Sequence, residues 1–129
     1  MSGLWLIAGV GLTGALGAAA RYLMVEWVAR WRLRRFPLAT FLINVSGAFA
    51  LGFITAAFAG DAQLDTRLLL GVGFLGGYTT FSTLSYETVA LARRGDTLTA
   101  WLNVGGSLLA GVVAAALGLA LGLGVGHLG

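Results

Sequence analysis

Four apolar runs take up most of this 129-residue chain, at about residues 4–29, 37–59, 68–92 and 98–126. Each is long enough for a helix to cross the hydrocarbon core of a bilayer, which takes about 20 residues. Lipid offers no water to a peptide group, so each backbone N–H and C=O must pair inside the protein, and a helix does this within one segment. The expected fold is therefore all-α, a single unit over residues 1–129 with four transmembrane helices and three short connections. The composition agrees: 58% of residues are hydrophobic and 10% charged, too few polar side chains to clothe a water-facing surface. The first run has no basic segment ahead of it and outlasts the apolar part of a signal peptide, so it is expected to remain as a span.

Charge sets an orientation. The first and third connections carry Arg30, Arg32, Arg34, Arg35, Arg93 and Arg94, whereas the second connection and both chain ends hold only Arg67. Six against one places the first and third connections in the cytoplasm and both ends outside it. Arginines that flank apolar runs in this way are topology signals, so no nucleic-acid partner is expected. Cysteine is absent and the one histidine, His127, lies near the end without a partner, which leaves no side-chain metal site and no nucleophile–base pair for catalysis. The chain is not expected to be an enzyme.

Glycine is abundant, with 21 residues. "GVGLTG" (Gly9 to Gly14) and "GVGFLG" (Gly71 to Gly76) both spell a dinucleotide fingerprint, but neither sits between a soluble strand and a helix. Gly118, Gly122 and Gly126 recur every fourth residue, the spacing that lets two membrane helices approach closely.

The third run contains "GFLGGYTTFST", Gly73 to Thr83, near its centre. Two readings are open. The hydroxyls of Thr79, Thr80, Ser82 and Thr83 can bond back to the preceding turn of an intact helix. Alternatively the helix is interrupted at mid-membrane, which survives only where the backbone is buried in protein or faces a wet path. The second run places Thr40 and Asn44 four apart on one face, and the fourth repeats that spacing with Asn103 and Ser107. Such residues serve either as glue between helices or as the lining of a narrow polar track. Phe81 lies within the hydroxyl run; it is either packing or a ring whose positive edge holds a small anion weakly enough to release it.

No ionisable group occupies the central third of any run: Arg21, Glu26 and Glu87 all lie toward one side. A proton-coupled carrier needs a titratable relay inside the membrane, so passive conduction ranks above coupled transport. Arg21 and Glu87 are placed either to pair with each other or to reach the interface separately.

"GALGAAARY" (Gly14 to Tyr22), "ATFLINVSGAF" (Ala39 to Phe49), "GFLGGYTTFSTLSYE" (Gly73 to Glu87) and "NVGGS" (Asn103 to Ser107) stand in the order and spacing of the Fluc (CrcB) fluoride channels, which the chain resembles over nearly its whole length. The resemblance implies a four-helix subunit with a broken third helix. It also implies an antiparallel dimer in a prokaryotic inner membrane, with two fluoride pores that release cytoplasmic fluoride. By position, Asn44 would be the pore amide, Phe81 the first of two phenylalanines, Ser107 part of the polar track and Arg21 the arginine of the vestibule. Thr40, Ser82, Thr83 and Asn103 would complete the track. Carbonyls of Gly76 and Thr79 would hold a structural sodium ion shared between subunits.

Leu84 stands where many members have the second phenylalanine, Asn103 replaces a tyrosine of some members, and Gly111 replaces a serine. The partner is expected to be a second copy of the chain, with an oppositely oriented paralogue as the alternative that the arginine bias raises. Lipid surrounds the assembly. The competing functions are a fluoride exporter coupled to protons or sodium, and a non-conducting assembly subunit.

Overall fold

A computed structural model describes residues 1–31 and 36–128, so Arg32, Arg34 and Arg35 of the topology argument lie outside the described residues. The described residues are helical throughout, without strands, and four helical stretches are long and apolar enough to span a membrane. α1 runs over Gly3–Ala29 and α2 over Leu38–Ala57, entered directly after Pro37, whose ring disfavours helix in the residue before it. The third stretch, Asp61–Arg93, is composite. A short 3₁₀ turn (Asp61–Gln63) leads into α3 (Leu64–Arg67), an eight-residue π segment (Leu68–Leu75), α4 (Gly76–Tyr78) and α5 (Phe81–Arg93). α6 spans Thr97–Gly126.

The chain leaves the helix at threonines rather than at the paired glycines. Leu75 and Gly76 keep helical dihedrals, whereas Thr79 (φ −78°, ψ 159°) and Thr80 (φ −148°, ψ 122°) are extended. β-branched threonine tolerates extended backbone well, and its hydroxyl can bond nearby peptide groups in place of the lost helical ones. Gly77 serves close packing instead, since a Cβ there would collide with the Gly14 carbonyl and hold α1 away.

Two helix pairs make up the subunit, each running parallel. α1 lies along the first half of the third stretch, with Gly17 pressed against the Phe74 carbonyl. α2 lies along α6, where Gly118 and Gly122 meet the carbonyls of Phe49 and Phe53, the use that their four-residue spacing predicts. Gly17, Gly77, Gly118 and Gly122 are thus used for packing within the chain. α5 ends in a Schellman turn: Gly95 takes φ +83°, its N–H reaches the Ala92 carbonyl at 3.1 Å, and the Asp96 N–H reaches Leu91 at 3.0 Å. Asp96 then caps α6 by accepting from the Thr99 N–H at 3.3 Å.

Candidate functional site

Leaving the helix at Thr79 and Thr80 strips peptide groups of their helical partners, a serious cost at membrane depth. Asn44, on the facing side of α2, repairs it: its Nδ2 donates to the Thr80 carbonyl at 2.8 Å and its Oδ1 accepts from the Thr80 N–H at 2.9 Å. The Thr80 hydroxyl caps α5 by accepting from the Thr83 N–H at 3.2 Å and donates to the Thr83 hydroxyl at 3.0 Å. On the other side of the gap, the Thr79 hydroxyl and N–H both bond the Leu75 carbonyl, at 2.8 and 2.9 Å. Tyr78, stacked on Phe74, shares a 3.0 Å hydrogen bond with the Ser46 hydroxyl of α2.

Beside this junction an open depression of about 320 Å³ is lined by Asn44, Gly47, Gly71, Leu75, Gly76 and Thr79, among others. Gly76 is exposed, and outside its own helix turn nothing among the described residues lies within 4 Å of where a Cβ would stand. Among the described residues no group of three His, Cys, Asp or Glu side chains that could hold a metal ion occurs. Carbonyls in the last turn of an interrupted helix are hard donors with lone pairs to spare.

The first turn of α5 points Phe81, Ser82 and Thr83 out of the subunit, with Phe81 80% exposed. Leu84, at the second aromatic position, is instead turned inward and is 8% exposed. The remaining polar residues sit inside. Asn103 is fully buried and its Nδ2 donates to the Thr88 hydroxyl at 2.9 Å, which in turn donates to the Leu84 carbonyl at 2.7 Å. Asn103 Oδ1 and the Ser107 hydroxyl are buried without a hydrogen-bond partner among the described residues. Thr40, also buried, donates its hydroxyl to Glu87.

The expected site residues therefore fall into two groups. Asn44, Gly76, Thr79, Phe81, Ser82 and Thr83 gather around the helix gap on the outer surface, whereas Thr40, Asn103 and Ser107 lie buried within the subunit. Arg21, half-buried on α1, does not pair with Glu87: among the described residues the one ion pair joins the Met1 amine to Asp65 at 2.8 Å. Sequence reasoning missed Thr80 as the partner of Asn44, Thr88 as the partner of Asn103 and Tyr78 as the partner of Ser46. Their types were visible, but the pairings join residues 36, 15 and 32 positions apart, beyond any local spacing rule.

Residues 8–119 match the family model described as CrcB-like protein, Camphor Resistance (CrcB). The chain is 44% identical over 117 residues to a protein of Acidobacterium capsulatum named fluoride-specific ion channel FluC, covering 88% of this chain and 92% of that one. It is 42% identical over 123 residues to fluoride-specific ion channel FluC 1 of Symbiobacterium thermophilum, covering 93% and 98%. A FluC protein of Geobacter metallireducens is 45% identical over 105 residues, covering 80% and 85%. Sequence similarity that reaches across all four membrane-spanning stretches leaves one assignment: the chain belongs to the CrcB-like family.

Proposed function

We propose that this chain is the subunit of a passive, fluoride-selective channel that lets fluoride leave the cytoplasm through a prokaryotic inner membrane. The observation that carries this reading is the outward-facing polar surface at the middle of the third stretch. There Phe81, Ser82 and Thr83 stand exposed beside the Asn44–Thr80 junction, in a chain whose relatives are named fluoride-specific ion channels. Hydroxyls and extended backbone at that depth cannot be left to acyl chains. A second copy of the chain covers them, and the two surfaces enclose the route of the ion. The third stretch acts as the broken helix of such a channel.

The second copy runs antiparallel to the first, so each half of the dimer supplies one wall of each of two pores. Homodimer is favoured, and an oppositely oriented paralogue is the alternative raised by the arginine bias. Around the dimer axis the Gly76 and Thr79 carbonyls of both copies form an oxygen-rich cradle that fits a sodium ion, which supplies fixed positive charge when bound. Fluoride is strongly hydrated, so the wall has to replace water. The Asn44 amide, the Ser82 and Thr83 hydroxyls and the positive edge of Phe81 do so as neutral groups, without a charged side chain in the wall that would trap the anion. Arg21 lies toward the wide entrance.

Proteoliposomes loaded with potassium fluoride test this. With valinomycin present to balance charge, rapid fluoride efflux is expected, and its absence would leave the chain a non-conducting assembly subunit.

A further inference from the structure

We propose that the main chain of Thr80 is an orienting group for Asn44: it locks the side-chain amide in one orientation, so that one N–H is always left for the ion route. This rests on the channel reading above. A side-chain amide has two ends of nearly equal shape and opposite polarity, and a free one can turn over to offer either a donor or an acceptor. Thr80 presents its own N–H and C=O to the same amide, at 2.9 and 2.8 Å. Only one orientation of Asn44 satisfies both. Turned over, Nδ2 would oppose the Thr80 N–H and Oδ1 would oppose its carbonyl, two repulsive contacts where water is scarce.

Thr80 is itself immobilised. It is buried, its hydroxyl caps α5 through the Thr83 N–H at 3.2 Å, and Thr79 before it is tied back to Leu75. The lock therefore has a rigid anchor, and what it leaves over is determined. Oδ1 accepts one bond, one Nδ2 hydrogen is engaged, and the second hydrogen is left over on a residue that lines the depression with Gly76 and Thr79. An anion passing here meets a donor on every encounter. Asn44 thus keeps a donor in a fixed place, and the helix gap supplies the peptide group that holds it there.

Two measurements on the full chain in lipid test the lock. In nitrogen-15 spectra of the Asn44 side chain, one Nδ2 proton is expected to exchange slowly in deuterated buffer in both chloride and fluoride. The other should exchange faster and shift when potassium chloride is replaced by potassium fluoride. Equal exchange of the two protons would overturn the proposal. Replacing the Thr80 peptide N–H by an ester oxygen removes the donor to Oδ1 and leaves the side chain intact; selectivity for fluoride over chloride is expected to fall by about tenfold. Unchanged selectivity in a folded ester variant would also overturn it. If the unmodified chain carried no fluoride, the channel reading would fail, while the slow proton would still report the lock.

Discussion

Phe81 stands almost free of its own subunit, at 80% exposure, so shortening it removes little internal packing. Phe81→Ile should therefore leave thermal unfolding in detergent unchanged and cut fluoride flux by about tenfold or more, through loss of the ring edge. Wild-type flux would remove the aromatic from the ion route. Asn44→Asp adds negative charge and deletes the donor to the Thr80 carbonyl, so conduction should be blocked in the same liposome assay. The buried pair on α6 behaves differently. Ser107 has no partner to lose among the described residues, so Ser107→Ala should leave stability unchanged or raise it. Asn103→Ala removes the bond to Thr88 and leaves space, and should cost about 1–2 kcal/mol by denaturation in detergent. Equal effects of the two substitutions would contradict this division.

At the scale of elements, glycines on one helix divide by what they touch. A Cβ at Gly118 would strike the Phe49 carbonyl, which is backbone and cannot swing away, whereas nothing lies within 4 Å of one at Gly124. Gly118→Ala is expected to destabilise the subunit by about 1–3 kcal/mol and Gly124→Ala to be neutral, as read from melting in detergent. Close packing along one face of α6 was legible in the sequence because four-residue glycine spacing records a contact; that its partner is α2 of the same chain was not. The four spans were legible because lipid constrains each segment by length and polarity alone. The exit from the helix at Thr79 and Thr80 was legible only as one of two readings, since the hydroxyls serve an intact helix as readily. The π segment at Leu68–Leu75 had no signal, because its five-residue hydrogen bonding depends on packing rather than on residue type. Burial divided the candidate site for a similar reason: the spacing placed Asn103 and Ser107 on one face of α6 but did not say that the face turns toward α5.

For the molecule as a whole, the subunit exposes apolar surface on every span, as lipid or a neighbour requires; only 6% of the apolar window in α1 is buried. Arg30, Arg93 and Arg94 are exposed at one end, and the Met1–Asp65 pair lies at the other. The proposed antiparallel homodimer must overcome that bias, and it predicts that in intact cells an epitope at the chain end is found on both sides of the membrane. A single orientation would replace the homodimer with a pair of unlike subunits. The most direct test of the ion claim is the reversal potential of the purified chain in a planar bilayer under a fluoride gradient. The current is expected to reverse at the fluoride equilibrium potential and to ignore imposed proton and sodium gradients. A reversal displaced by either gradient, or no fluoride current at all, would contradict a passive fluoride channel.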